Sequence, residues 1–94
     1  MHKSLLAAAG AALLALTAQA AASNCRVADP TGTPLNIRMS PNGQIVATAR
    51  NGSLIQVYDN NDKFDNQGRR WYYVGLSTSS APDGYALAAY IRCP

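Results

Sequence analysis

Between residues 23 and 94, apolar and polar positions alternate in short runs, and no stretch has the three-to-four-residue spacing of an amphipathic helix. Runs rich in β-branched and aromatic residues are separated by turn signals such as SPNG (40–43), RNG (50–52) and STSSAPDG (77–84). The runs are LNIR (35–38), IVATA (45–49), SLIQVYD (53–59), RWYYVGL (70–76) and YALAAYIRC (85–93). We therefore predict an all-β domain of about five short strands, with YALAAY the one place where a helical turn could intrude. A small sheet of this kind removes its exposed edges by rolling into a barrel.

Alternation assigns faces in the two central strands. In SLIQVY the polar Gln56 marks the outer face, so Ile55 and Val57 are predicted to point inward. In RWYYVG, one face carries Tyr72 and Val74 and the other carries Trp71 and Tyr73.

If these strands form a hairpin, their outer face exposes more aromatic surface than a small domain normally does. The residues gathered there are Leu54, Tyr58, Trp71 and Tyr73. The opposite assignment, with Trp71 in the core, stays open at this point.

The first residues have the pattern of an export signal. A basic start, MHK, precedes the apolar run LLAAAGAALLAL (5–16), which is too short to span a bilayer. Small residues follow and offer cleavage after Ala20 or Ala22. We predict a bacterial signal peptide over 1–20 and a mature protein that is periplasmic or secreted, with no membrane span. A buried helix in the mature fold is one alternative. A lipid anchor at Cys25 is another, although Asn24 before it does not suit that signal.

The only cysteines, Cys25 and Cys93, lie near the two ends of the mature chain. Export implies an oxidising compartment, so we predict one disulfide between them. A chain this short has a marginal core and usually needs such a cross-link. Free thiols, or a bridge to a partner chain, are the alternatives.

Charge and residue types exclude several functions. After residue 20 the chain carries seven basic and five acidic residues, a net charge of +2, which is far from the positive stripe of a nucleic-acid-binding protein. It has no glutamate, and its single histidine, His2, lies in the signal peptide. Catalytic triads and histidine-ligated zinc sites are therefore excluded. We expect no enzyme activity, no metal, no cofactor and no nucleic-acid partner.

The acidic stretch DNNDKFDN (59–66) has residue types found in calcium-binding loops. An EF-hand loop starting at Asp59 would need an oxygen ligand, a glycine and a glutamate where the chain has Lys63, Phe64 and Arg70. Asp and Asn also cap their own turns. We predict a flexible, solvated hairpin loop, with a weak calcium site as the alternative.

The order of motifs resembles a known family. LNIRMSPNGQIVATARNGSLIQVY (35–58) resembles the opening of bacterial SH3-like domains (Src-homology-3 fold), and GRRWYYV (68–74) and GYALAAYI (84–91) are similar to their later strands. Ser40, Tyr85 and Ala86 depart from the usual Gly, Trp and Val. The change at Tyr85 puts in doubt any pocket that depends on an indole there. The resemblance implies a five-stranded SH3-like barrel over 25–94 and a non-catalytic role.

In cell-wall hydrolases such domains hold the peptide part of peptidoglycan. The resemblance therefore implies a small stand-alone exported module, expected to be a monomer, that binds cell-wall peptide or glycan through an aromatic face. The candidate ligand-binding residues are Tyr58, Trp71, Tyr73, Tyr85, Tyr90 and Arg70. Arg38 and Arg69 are further partners for carboxylates. For any single aromatic residue, packing between strands is an equally good explanation.

The alternative function is a protein-interaction module, either an inhibitor or an accessory subunit of an exported enzyme. Its contacts would then come from the loops 59–69 and 77–83, because a disulfide-closed β-domain presents its loops at low entropic cost.

Overall fold

The computed structural model describes residues 22–76 and 80–94, and the fold within these residues is all-β. The predicted signal peptide lies outside the described residues, as do residues 77–79 of the last predicted turn. A 3₁₀ helix, Ala88–Tyr90, precedes the last strand. The strands are β1 (Ala22–Val27), β2 (Leu35–Arg38), β3 (Ile45–Ala49), β4 (Leu54–Tyr58), β5 (Lys63–Phe64), β6 (Arg70–Gly75), β7 (Gly84–Leu87) and β8 (Ile91–Arg92).

The strands form one antiparallel sheet in the order β3-β2-β7-β6-β4-β1-β8, with β5 attached to β6. Over the described residues the sheet has eight strands and is not a closed barrel, so the prediction of a five-stranded barrel is wrong in count and in closure. The strands missed are β1 and β5, whereas β8 lies within the last predicted run. Strand β5 is only two residues long, and in β1 only Cys25 and Val27 are buried, so neither has a clear apolar alternation.

Each of the five predicted runs contains a strand. LNIR and IVATA coincide with β2 and β3, and the predicted hairpin of the central strands exists, with Val57 opposite Val74. The last run is interrupted where a helical turn was expected, by the 3₁₀ helix. Alanine favours strands weakly, which suits an interruption at Ala88 and Ala89.

The core lies on one face of the sheet. Ile55 and Val57 are buried as predicted, and Tyr72 and Val74 also face this cluster. Burial of each large apolar side chain contributes about 1.5–3 kcal/mol. The buried members are Cys25, Val27, Leu35, Ile37, Ala49, Ile55, Val57, Val74, Ala86 and Ile91.

The predicted disulfide is confirmed: Cys25 in β1 is bonded to Cys93, directly after β8. Closing a loop of nearly the whole domain stabilises it by about 4 kcal/mol in the chain-entropy model. The bond is consistent with an exported protein. Among the described residues, no helix has the length and apolar character needed to cross a membrane.

A glycine brings β7 close to β2. A Cβ atom at Gly84 would lie 2.5 Å from the carbonyl oxygen of Arg38 and 2.9 Å from Cγ2 of Ile37. Any side chain there would push the strands apart. The close approach places Tyr85 directly opposite Arg38 on the outer face, next to the candidate site.

Candidate functional site

Three tyrosines from β4, β6 and β7 lie side by side on the outer face; we call Tyr58, Tyr73 and Tyr85 the tyrosine row. Tyr73 pairs with Tyr85 across the two strands. The ring centroids of Tyr58 and Tyr73 are 5.6 Å apart, and those of Tyr73 and Tyr85 are 5.1 Å apart. The rings are tilted by 42° and 55°, an arrangement that aromatic pairs favour. All three are half-buried, and Nζ of Lys63 lies 5.0 Å from the Tyr85 ring centroid. The sequence prediction that Tyr58 and Tyr73 share a face is confirmed.

One end of the row is held by Asp83. Burial raises the pKa of the Tyr58 phenol, and the negative charge of Asp83, the neighbouring Tyr73 and a hydrogen bond with Asp83 raise it further. Gly75 leaves room for this contact, because a Cβ atom there would lie 2.6 Å from Oδ1 of Asp83 and 2.8 Å from the Tyr58 hydroxyl. Tyr58 is therefore a neutral hydrogen-bond donor at physiological pH.

Trp71 lies two residues before Tyr73 on the same face of β6, but it is only 2% exposed. The expectation that it adds to an open aromatic surface is therefore wrong. It is buried, as the alternative interpretation required, yet it is not a member of the main core cluster. Its opposite residues are Lys63 on β5 and Leu87 on β7.

The carboxylate of Asp65 covers the Trp71 indole. Trp71 Nε1 donates to Oδ2 of Asp65 at 3.0 Å, and the backbone N–H groups of Gln67 and Arg69 donate to Oδ1 at 2.9 and 3.0 Å. Arg69 Nε and Asn42 Nδ2 also donate to Oδ2, at 2.8 and 3.2 Å. The Asp65 side chain is 3% exposed. One carboxylate thus joins the turn 65–69 to the turn at Asn42 and to the indole.

Its hydrogen bonds keep Asp65 charged. Burial alone would raise the pKa of this carboxyl, but the bonds from Trp71, from Arg69 and from the Gln67 backbone lower it more. The net result is a pKa well below its usual value of 3.8.

The acidic stretch is therefore not one flexible, solvated loop. Strand β5 divides it, Asp62 accepts a hydrogen bond from Arg70 Nε at 2.7 Å, and the Asp65 side chain is buried. The predicted self-capping is confirmed, since Asp65 caps its own turn. The solvation predicted for the whole stretch is wrong, because two of its three carboxylates bind groups on β6 or beside it.

Beside Trp71 the outer face contains a cavity of about 180 Å³. Arg38 lies at the end of β2 and donates to the Gly43 carbonyl at 2.8 Å. Asp29 is held by Thr31 and Thr33, and the Thr31 side chain is the main cause of its lowered pKa. Apolar walls are thus combined with charges of both signs. The residues that carry these properties are Asp29, Pro34, Arg38, Trp71, Leu87 and Tyr90.

The predicted site residues fall into two groups. Trp71 and Tyr90 line the cavity, and the tyrosine row adjoins it through Arg38 and Tyr85. Arg70 is not brought to this face. It binds Asp62 and its guanidinium carbon lies 5.5 Å from the Tyr72 ring centroid, at a wider opening of about 630 Å³ that Tyr58 also borders. Sequence reasoning missed Pro34, Leu87 and the role of Asp65.

No family model, curated protein or solved structure matches the chain. The chemistry of the site therefore follows from its own geometry. That geometry offers ring faces for stacking and a cavity that combines apolar walls with fixed charges of both signs.

Proposed function

We propose that this protein is a non-catalytic, exported binding module of SH3-like type that binds peptide or glycan of the bacterial cell wall. The observation that carries the proposal is the tyrosine row, which opens on the outer face beside the cavity at Trp71. The all-β fold and the disulfide support the proposal.

The chemistry of the face suits such a ligand. Tyrosine rings present apolar faces to sugars and to peptide backbones, with a hydroxyl available for hydrogen bonding. At the cavity, Arg38 suits a carboxylate and Asp29 suits an ammonium group, and cell-wall peptides carry both. A turn fixed by Asp65 and a disulfide-closed domain lower the entropic cost of binding.

Co-sedimentation with purified peptidoglycan sacculi tests the proposal. We expect the oxidised exported protein to sediment with the sacculi, and a Tyr73→Leu, Tyr85→Leu double variant to remain in the supernatant. Leucine keeps apolar bulk in the sheet while removing the stacking faces. Trp71 is left unchanged in this experiment, because its burial would confuse loss of binding with loss of folding.

Phe64→Leu is the matched control. Phe64 is 66% exposed and lies on β5 opposite Arg70, away from the tyrosine row. It should leave binding unchanged. A wild-type protein that does not sediment, or a folded double variant that still does, would contradict the proposal.

A protein partner is the second candidate, and the exposure of Phe64 is the observation that favours it. An aromatic side chain exposed in the 59–69 segment is a typical interface anchor. If an exported protein is the partner, Phe64→Leu should weaken its binding and the tyrosine double variant should not. Shortening the segment is a poor test, because it would remove Asp65 and with it the cover of Trp71.

A further inference from the structure

The last strand of the sheet is weakly paired. Strand β8 has two residues, and within residues 22–76 and 80–94 it pairs only with the end of β1. Val27 lies opposite Ile91, and both side chains are buried. Arg26 lies opposite Arg92, and like charges placed directly opposite each other destabilise a sheet. Two residue pairs, one of them between like charges, leave β8 dependent on a further restraint.

The disulfide supplies that restraint. Cys93 directly follows β8, and it is bonded to Cys25, the residue before Arg26 in β1. The bond therefore fastens β8 at the end where the two arginines face each other. The two cysteines differ in access: Cys25 is 1% exposed, whereas Cys93 is exposed and borders the wider opening of about 630 Å³. A thiolate from solvent therefore reaches the bond at Cys93.

Strand β8 also holds one wall of the cavity beside Trp71. The backbone N–H of Ala28 donates to the carbonyl of Tyr90 at 2.8 Å, which continues the pairing of β1 with β8 by one residue. Tyr90 lines the cavity, and so does Asp29, the residue after Ala28. Separation of β8 from β1 breaks this hydrogen bond and removes Tyr90 from the cavity wall.

We propose that the Cys25–Cys93 disulfide is a redox switch, which keeps β8 paired against the repulsion of the two arginines and so keeps the cavity complete. Reduction by a dithiol releases β8 and Tyr90, while the rest of the sheet stays folded. Ile91 is the one member of the main core cluster that β8 supplies, so the remaining core is kept. The release does not depend on the proposed function, whereas its effect on cell-wall binding does.

The chemical step is thiol–disulfide exchange with a dithiol, either a small molecule or a dithiol oxidoreductase. One thiolate of the dithiol attacks Sγ of Cys93, the bond to Cys25 breaks, and Cys25 leaves as a thiolate that takes up a proton. The second thiolate attacks the dithiol sulfur that is bonded to Cys93, and Cys93 leaves and is protonated in the same way. The protein gains two electrons and two protons, and the dithiol becomes a disulfide.

Amide hydrogen exchange of the oxidised exported protein, compared with the same protein kept in dithiothreitol, tests the inference. We expect the Ala28 amide to exchange more than about tenfold faster after reduction, since its acceptor moves away with Tyr90. The Met39 amide is the internal control. It donates to the Gln44 carbonyl at 2.8 Å, beside β3 at the opposite edge of the sheet, and its rate should not change.

Variants at Arg92 test the cause of the release. In the reduced protein, Arg92→Glu places opposite charges across the β1–β8 pair, so the Ala28 amide should regain much of its protection. Arg92→Lys is the matched control, because it keeps the like charges and should exchange like the wild type. Equal Ala28 rates in the two reduced variants would overturn the inference.

Two other results would also overturn it. An Ala28 amide that is equally protected in both redox states would mean that β8 stays paired without the bond. Loss of protection at Met39 as well would mean that reduction unfolds the domain instead of releasing one strand. Sedimentation with peptidoglycan sacculi is read separately: the reduced protein should sediment less than the oxidised one, and an oxidised protein that does not sediment contradicts the proposed function while the exchange result stands.

Discussion

Trp71 and Tyr73 lie two positions apart on the same face of the same strand, yet their surroundings differ completely. Trp71 is 2% exposed because the turn 65–69 folds over it and Asp65 binds its indole. Tyr73 is half-buried between two other tyrosines. Alternation decides which face a side chain takes, whereas the fold of the preceding turn decides whether that side chain is covered. The covered end therefore contributes stability, and the open end remains accessible.

The largest expected effect is a difference in stability between variants of Trp71, at the covered end of the face, and variants of Tyr73, at its open end. Trp71→Ala should lower the free energy of unfolding by about 3–5 kcal/mol, because it leaves a large cavity under the turn. That loss is comparable to the whole stability of a core this small. Tyr73→Leu should cost about 1 kcal/mol, mainly the lost ring contacts. Denaturant unfolding of the oxidised proteins measures both.

If Trp71→Ala does not fold, Trp71→Phe can be measured in its place. It keeps most of the ring volume and removes only the donor to Asp65, so a loss of about 1–3 kcal/mol is expected. Equal losses for Trp71→Ala and Tyr73→Leu would mean that the turn does not protect the tryptophan.

A smaller effect concerns the charge that covers Trp71. The pKa of Asp65 is lowered in the folded protein from its usual 3.8, so its stabilising effect is complete above that value. As pH falls below about 4 towards the folded pKa, protonation removes that stability. The wild-type urea midpoint should therefore be constant above about pH 5 and fall in acid.

Asp65→Asn should lower the midpoint at neutral pH and flatten its fall in acid. The pKa of Asp29 is also lowered, chiefly by Thr31, so Asp29→Asn should flatten the fall too. Its effect should be smaller, because the hydrogen bonds of the Asp29 side chain are to Thr31 and Thr33 in its own exposed loop. If the urea midpoint of Asp65→Asn falls in acid as steeply as that of the wild type, this carboxylate does not hold the turn.

The smallest expected effect is on the pKa of Tyr58 in the tyrosine row. Asp83→Asn should lower the pKa of the Tyr58 phenol towards its usual 10.0, because the neighbouring negative charge is removed while burial remains. Stability should hardly change. Ultraviolet absorbance of the phenolates during alkaline titration measures the shift, with Asp29→Asn as the control. An unchanged titration would indicate that Asp83 does not contact the tyrosine row.

Much of the fold could be predicted from local pattern. Strands β2, β3, β4, β6 and β7, the inward direction of Ile55 and Val57 and the disulfide all follow from the sequence. The strands β1 and β5 could not be predicted, since each is held mainly by its neighbour: β1 by its register with β4, and β5 by β6.

The candidate site was predicted only in part. Tyr58 and Tyr73 follow from alternation, and Tyr85 joins them because β7 pairs with β6. Arg70 was grouped with them, but it lies at the other opening, which Tyr58 also borders. It precedes Trp71 by one residue, and in a strand a shift of one residue places the side chain on the opposite face. The partner of Trp71 could not be predicted, because the fold of the turn 65–69, not a strand period, brings Asp65 to the indole six positions along the chain.

The sequence by itself determined the all-β character, the inward and outward faces of the central strands and the disulfide, because strand period and cysteine pairing depend on local spacing and redox environment. Only the tertiary structure decided which aromatic residues are covered and that the sheet stays open at β3 and β8. The sheet edges depend on pairing between segments far apart in the chain, and the cover of Trp71 depends on a hydrogen bond from its indole to Asp65 in the preceding turn. Such a bond leaves no periodic pattern in the sequence.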